Sequence, residues 1–566
     1  MKGAEMLLKC LVKHKVDTIF GYPGGAVLPI YDALYDMQDE LNHIITAHEQ
    51  GAAHAADGYA RSTGKVGVVI ATSGPGATNT VTGIATAYMD SIPIIVFAGQ
   101  VSTSMIGKNS FQEVNIRSIT KSITKKTFTI DKASDIENII DEAFKIAVSG
   151  RKGPVVVEIP KNIQTSEASD NTSELGNVSS TSKNEEFKYD LFSNEYEDSI
   201  DKVVNIIKCS KKPMIYAGGG VISSGAEKQL VEFVDKLDTP IACSLMGIGA
   251  FPGDRKNYTG MVGMHGSHCS NYAVSECDLL IAIGARFSDR VISKVSTFAR
   301  KSKIIHIDID RREFGKNVDI TMSVRGDIKK VLSDLTGKLE KQNHGEWMKC
   351  ILKLKENEEL KYSNFNHKEG KYLDPRDVIN TLYRLTGGDC IITTEVGQNQ
   401  IWTAQYFKFL KSRTFITSGG LGTMGFGLGA AIGACIGNPN ERVINVAGDG
   451  SFKMNSTELA TIAKYRLPII QLVLNNRSLG MVHQWQEMFY KKRYCFTELT
   501  EDVDFVKLGE AYGIKSLRIE KSSELENCLK IALKGKEPMI IECNINIDEK
   551  VFPIVPPGAS ISESIG

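Results

Sequence analysis

The sequence predicts an α/β protein of three doubly wound domains, each built on a parallel sheet. Three observations carry that expectation. Short β-branched runs alternate with helical patterns in three separate stretches, the signature of βαβ units. Polar or charged segments without such runs divide the stretches. The length of 566 residues exceeds a single hydrophobic core and suits roughly three to four domains.

Residues 1–164 form the first expected domain, with strands at Thr18–Phe20, Asn42–Ala47, Val66–Ala71, Ile92–Ala98 and Val155–Ile159. Each is a short run dominated by Val, Ile, Phe or Thr. Residues 165–188 are rich in Ser, Thr, Asn, Asp and Glu and nearly free of large apolar side chains, the composition of a surface linker. Residues 189–337 form the second domain, with strands at Met214–Ala217, Leu279–Ile283 and Lys303–Ile309. A charged helical connector is expected over 338–374. The third domain spans 375–566 and includes the apolar runs Val443–Ala447 and Ile469–Leu474. No internal sequence repeat is evident.

Composition excludes several classes of function. Acidic and basic residues balance at 67 each, so no net field favours nucleic acid or a membrane surface. No apolar run approaches the roughly 18 residues of a spanning helix. The N-terminus has neither the apolar core nor the cleavage site of a signal peptide. The 11 cysteines show no CxxC spacing and lie mostly in apolar surroundings, which predicts reduced thiols in a cytoplasmic protein.

Chemistry concentrates in the third domain. Gly448-Asp449-Gly450 follows one apolar run and Asn475-Asn476 the next. Between them Asn455 and Glu458 frame an amphipathic stretch as a variant capping box, predicting strand, loop, helix, strand. A right-handed crossover makes the two strands parallel neighbours. Their carboxyl ends are where open α/β sheets hold ligands. A carboxylate and a carboxamide oxygen converging there suit Mg²⁺ carrying a diphosphate, and the flanking glycines let the backbone approach the phosphates. Either piece alone reads as an ordinary turn. The pair, each after an apolar run, points to a site. In the first domain, Glu49 stands where the Asn42–Ala47 strand meets an Ala-rich helix. A carboxylate there either complements the helix N-terminus or, buried with a partner, serves as a tuned acid.

The Asp449–Asn476 arrangement resembles the diphosphate-binding motif of thiamine diphosphate (ThDP) enzymes. With His48 to Arg61, Ser73-Gly74-Pro75-Gly76-Ala77-Thr78-Asn79 and Tyr88-Met89-Asp90-Ser91-Ile92-Pro93, the chain is similar to the large catalytic subunits of acetolactate synthases, over nearly its whole length apart from the linker. The resemblance implies Asp449, Asn476 and a carbonyl near Ser478 as Mg²⁺ ligands. It implies Gly397, Gln398, Gly448, Gly450 and Ser451 as ThDP contacts, and Met424 as the bulky residue that bends the cofactor. Asn399 replaces the usual His; an amide can still donate to phosphate. Glu49 is implied as the acid that activates ThDP at its aminopyrimidine N1′, serving the cofactor of a partner chain. An obligate homodimer, with a tetramer left open, and a separate regulatory small subunit follow from the resemblance.

On the substrate side, Phe111 and Gln112 match the family's Phe-Gln-Glu loop. Gln112 would bond substrate oxygens and Phe111 would shape the pocket. Ser102, Lys108, Asn109 and Ser110 depart from the common residues nearby, which bears on inhibitor sensitivity. Lys161 is similar to a lysine at the site's entrance whose charge attracts a keto-acid carboxylate. Trp485 corresponds to the tryptophan that favours 2-ketobutyrate, and His483 stands where Met is frequent. Taken without the family, these residues read as a loop anchor, an exposed amide, a solvated lysine and a core aromatic.

In the second domain, Gly218-Gly219-Gly220 follows a strand but lacks GxGxxG spacing. Together with Leu245, Met246, His265, Gly266, Gly284, Arg286, Asp308 and Arg151, it resembles the FAD-binding segments of biosynthetic acetolactate synthases. Ser288 replaces a frequent Asp. The implied flavin is structural and does not turn over. The implied reaction joins pyruvate-derived carbon to pyruvate, giving 2-acetolactate and CO₂, or to 2-ketobutyrate, giving 2-aceto-2-hydroxybutyrate, for valine, leucine and isoleucine synthesis. The alternatives are a catabolic acetolactate synthase, a pyruvate oxidase or decarboxylase, and a non-catalytic scaffolding paralogue. Related decarboxylases carry a His-His pair that this sequence lacks.

Overall fold

A computed structural model describes residues 1–168, 194–363, 372–499 and 503–566. Most of the expected linker, and residues 364–371 of the expected connector, lie outside these residues. Three six-stranded sheets organise the chain. The first holds β1 (Thr18–Tyr22), β2 (Asn42–Ile45), β3 (Gly67–Ala71), β4 (Ile94–Gln100), β5 (Lys126–Thr129) and β6 (Val155–Pro160). The second holds β7 (Pro213–Ala217), β8 (Ile241–Cys243), β9 (Tyr258–Met261), β10 (Leu279–Ile283), β11 (Lys303–Asp308) and β12 (Met322–Arg325). The third holds β13 (Ile391–Thr394), β14 (Phe415–Ile416), β15 (Val443–Gly448), β16 (Ile469–Asn475), β17 (Lys515–Ile519) and β18 (Met539–Asn544). Every pairing in all three sheets is parallel. Helices cover both faces, which is why β3, β4, β6, β10 and β16 are buried at every residue.

The first sheet runs β2-β1-β3-β4-β6-β5 and the third β14-β13-β15-β16-β18-β17, so the two share one strand order. The second runs β12-β11-β10-β7-β8-β9, the 3-2-1-4-5-6 order of dinucleotide-binding sheets. Its direction of winding reverses between β7 and β10. In the third sheet it reverses between β13 and β15, and β16 lies next to β15 in register Val443↔Ile469.

A close helix pair and a buried charge cluster are among the contacts that fasten the first domain to the third. The Ala-rich helix Glu49–Thr63 lies against the Gly-rich helix Phe426–Gly437 so closely that a Cβ on Gly58 would sit 2.2 Å from the Ala430 carbonyl oxygen, and one on Gly433 1.8 Å from that of Ala55. At the far end of the first helix, buried Arg61 pairs with Asp57 and Asp90 and donates to the Thr417 carbonyl at 2.8 Å. Asp90 in turn accepts the Gly419 and Gly420 amides at 3.1 and 2.7 Å.

The expected capping box is not formed. β15 runs directly into the short helix Asp449–Met454, with no loop, and Asn455 caps nothing with its side chain. Its Nδ2 donates to the Gly425 carbonyl, and Glu458 turns away to accept the Ala47 and His48 amides of the first domain at 3.1 and 3.0 Å. The cysteines are all free thiols, and Cys243, Cys390, Cys435 and Cys543 are buried as expected. Among the described residues no helix is long and apolar enough to cross a membrane.

Candidate functional site

At the carboxyl ends of β13, β15 and β16 three polar segments converge. Asp449 is 4% exposed, and burial pushes its carboxyl up to about 6, against opposing backbone amides that include that of Ser478. Asn476 is equally buried. Its Oδ1 accepts from the Ser478 amide at 3.1 Å, and its Nδ2 donates to Gln398 Oε1 at 3.1 Å. The Ser478 hydroxyl donates to the Thr497 carbonyl, so its backbone is what remains for a ligand. A desolvated carboxylate, a carboxamide oxygen and a backbone carbonyl are a hard oxygen set. A divalent cation among them would offset the desolvation that now favours the acid form, so the residues fit Mg²⁺.

The glycines beside this set are bare. A Cβ on Gly397 (φ +144°) or on Gly448 would meet only the Asn399 carboxamide, at 3.1 and 3.3 Å, and Gly422 faces open space. Such exposed backbone is a cradle for phosphate oxygens, and it fits a diphosphate. Gly450 differs, because a Cβ there would strike Leu479 at 2.6 Å. Three polar side chains at the cradle are engaged within the protein. Gln398 donates to Gln484 and to the Glu549 carbonyl. The Ser451 hydroxyl donates to Glu395 at 2.6 Å and accepts the Gly425 amide. Both Nδ2 hydrogens of Asn399 go to the carbonyls of Glu395 and Val446, so this amide turns its oxygen, not a donor, towards the glycines. What these residues offer a phosphate is their backbone.

Glu395 was missed by sequence reasoning. It is fully buried at the carboxyl end of β13, and its carboxylate accepts the Gly425 and Leu428 amides at 2.8 and 3.1 Å as well as Ser451. Burial pushes its carboxyl up to about 7. The available signal was a charged residue directly after the run Ile391–Thr394. Met424, half-buried, sits immediately before the Gly425 that Glu395 holds.

In the first domain, Glu49 is the first residue of its helix and half-buried, with its Oε2 accepting from Asn79 Nδ2 at 2.9 Å. Its Oε1 lies 3.2 Å from where a Gly76 Cβ would be. Gln112, at φ +60°, packs against Gly74, two residues before the Gly76 that Glu49 approaches. Phe111 is 87% exposed. Lys161 is exposed at the carboxyl end of β6.

A cavity of about 1970 Å³ opens between the domains, well beyond the roughly 300–1,000 Å³ of a site for one small molecule. Arg151, Gly219, Gly220, Leu245, Met246, His265, Gly284, Arg286 and Asp308 line it, as do Gly397 and Trp485. Gly218 and Gly266 do not. A Cβ on either would strike a carbonyl, that of Gly284 at 2.3 Å or Met261 at 2.6 Å, so they serve close backbone packing. Arg151 is already paired with Glu313 at 2.9 Å and bonded to Ser91. Burial pushes Asp308 up to about 6 and His265 down to about 4. The glycine turn at the β7/β10 reversal and the cavity's size fit a dinucleotide together with a second ligand.

Three family models match the chain in succession. They describe thiamine pyrophosphate enzymes: the N-terminal TPP binding domain over residues 1–119, the central domain over 200–335 and the C-terminal TPP binding domain over 395–543. The probable acetolactate synthase large subunit of Methanocaldococcus jannaschii is 46% identical over 572 residues, spanning 100% of this chain and 95% of the relative. The acetolactate synthase large subunit of Buchnera aphidicola is 44% identical over 570 residues, 100% and 98% of the two chains. The acetolactate synthase isozyme 2 large subunit of Escherichia coli is 42% identical over 566 residues, 100% and 99%.

Proposed function

Since the chain belongs to the thiamine pyrophosphate enzymes and, among them, to the acetolactate synthase large subunits, we propose that it joins pyruvate-derived carbon to a second 2-keto acid through the residues described above. The products are 2-acetolactate and CO₂ from two pyruvates, or 2-aceto-2-hydroxybutyrate with 2-ketobutyrate as acceptor. The observation that carries the reading is full-length similarity, and the presence of Glu49 in the first domain and of Asp449 with Asn476 in the third supports it.

When bound, ThDP supplies the nucleophilic carbon and the electron sink for decarboxylation. Asp449, Asn476 Oδ1 and the Ser478 carbonyl would hold Mg²⁺, and the backbone of Gly397, Gly448, Gly450 and Ser451 would hold the diphosphate. Glu49 would exchange a proton with the aminopyrimidine N1′. Asn79 orients its carboxylate through Oε2 and leaves Oε1 for that contact. Gln112 orients keto-acid oxygens, Lys161 draws the carboxylate in, and Met424 shapes the cofactor's seat. Trp485, on the wall of the large cavity, offers apolar surface to the extra methyl of 2-ketobutyrate. FAD would occupy the cavity along the second sheet as a structural group, since the net reaction exchanges no electrons.

Glu49 is not among the residues lining the cavity that reaches Gly397, and Phe111 beside Gln112 is bare in a single chain. Both observations support a homodimer in which each Glu49 serves the partner's cofactor. The relatives' designation as large subunits supports a separate small subunit. Free thiols throughout support a reducing, cytoplasmic setting.

The test is to supply the purified chain with ThDP, Mg²⁺, FAD and pyruvate, and to quantify acetolactate and CO₂ while following flavin absorbance. One acetolactate per CO₂, an unbleached flavin and a strong loss in Glu49→Gln are expected. Acetaldehyde or acetate with a bleached flavin would replace this reading with a decarboxylase or an oxidase.

A further inference from the structure

Helix Gly480–Phe489 has two working faces. Met481, Val482, Trp485, Gln486 and Phe489 look into the large cavity. His483 and Glu487, spaced i and i+4, share the other face. There the helix meets the segment 548–551, to which Gln484 is already joined by two hydrogen bonds with Val551, both 2.9 Å.

The imidazole of His483 is an anomaly. It is 4% exposed and stacks on Tyr494 at 4.2 Å, yet both of its ring nitrogens are buried without a hydrogen-bond partner among the described residues. Buried polar atoms of this kind are rare, and an ion is one accepted reason for them. Asp548 Oδ1 lies 4.0 Å from His483 Nε2. Glu487 Oε2 is also buried without a well-directed hydrogen bond, although Lys550 Nζ is 3.0 Å away. One ligand atom from each of His483, Glu487 and Asp548 falls within 4.8 Å of the other two.

We propose that His483, Glu487 and Asp548 bind a divalent transition ion such as Zn²⁺, clamping the back of this helix to the segment 548–551. An imidazole with two carboxylates suits Zn²⁺ rather than Mg²⁺, which takes oxygen donors alone. A tetrahedral site with bonds of about 2.0–2.1 Å holds its ligand atoms about 3.3 Å apart, so the cluster must close by up to about 1.5 Å. Asp548, with a side chain 66% exposed, is free to supply that movement. A water would complete the shell. The Lys550 ammonium now neutralises Glu487, with Lys492 Nζ at 3.9 Å from the same carboxylate, and the ion must displace Lys550 to bind.

That competition gives the test a variant of each sign. Zn²⁺ is titrated calorimetrically into the full chain saturated with ThDP and excess Mg²⁺, which cover the Asp449 site. Exposed Cys209, Cys350 and Cys495 are replaced by Ser so that thiolates stay silent. One site per chain is expected. His483→Ala and Asp548→Asn should each weaken it at least about tenfold, the smaller loss typical even of an outer-shell partner. Lys550→Met should tighten it. Asp548→Asn changes an exposed side chain and Lys550→Met a half-buried one whose stem it keeps, so the result survives if His483→Ala fails to fold. An absent site, or Zn²⁺ binding unmoved by Asp548→Asn and Lys550→Met, overturns the proposal.

Discussion

Glu395 offers a prediction whose size can be worked out in advance. Its carboxyl is fully buried and rises from 4.5 to about 7, with burial the largest cause and the bonds from Ser451, Leu428 and Gly425 opposing it. The folded chain therefore holds this proton more tightly than the unfolded chain does. The stability this adds is complete below pH 4.5 and is lost as pH rises to about 7. At 1.36 kcal/mol per pH unit the loss totals about 3 kcal/mol. The perturbation is pH, and Glu395→Gln is the reference, because a glutamine cannot titrate. The variant carries its own penalty, since its amide can accept only one of the two backbone donors, but that penalty is the same at every pH. The assay is thermal unfolding of the cofactor-free chain and of the variant from pH 4.5 to 8. The variant's midpoint should climb relative to the parent's as pH rises. A ceiling of about 6–12 °C follows from 2–4 °C per kcal/mol for a unit of 150–250 residues. A difference that stays flat would refute the reasoning. It would mean that the donors from Ser451, Leu428 and Gly425 outweigh desolvation and keep Glu395 ionised throughout.

Asp449→Asn should weaken Mg²⁺-dependent ThDP binding by about 3 kcal/mol, near a hundredfold in Kd, as read by cofactor titration with and without chelator. Gly433→Ala should cost at least about 1–3 kcal/mol by overpacking, because the new methyl meets the Ala55 carbonyl rather than a side chain that can turn away; thermal unfolding reads it. Arg61→Ala should cost about 3–5 kcal/mol by leaving Asp57 and Asp90 buried and unpaired. Arg61→Ala should also weaken ThDP binding, because Asp90 holds the two amides that lead into the loop of Met424.

The fold was legible where the chain repeats a local rule. Val443–Ala447 and Ile469–Leu474 are buried runs of strand length, and they do pair in parallel with Asp449 and Asn476 at their ends. Glu49 at a strand-to-helix junction was legible for the same reason. The Asn455–Glu458 pair looked like a cap, but Glu458 is taken by two amides of the first domain, a contact across the chain that no local pattern contains. By position in the sequence, Asn399 and Gln398 look like ligand contacts. Their hydrogen bonds are committed to neighbours brought in by folding, such as Val446 and Gln484. Gly218 and Gly266 look like their neighbours in sequence, and only the approach of a particular carbonyl tells them apart.

The first and third sheets share a strand order, and with it a common address for a ligand: the gap where winding reverses, between β1 and β3 in one and between β13 and β15 in the other. ThDP has two chemically opposite ends, a flat heteroaromatic ring and a polyanion. The same architectural slot, used twice, can grip both. One copy carries Asp449 beside glycines whose backbone is open, and the other presents the Glu49 carboxylate beside Gly76. Division of labour between two equal frames thus needs only a change of lining, and each lining can drift without disturbing the scaffold that aims it.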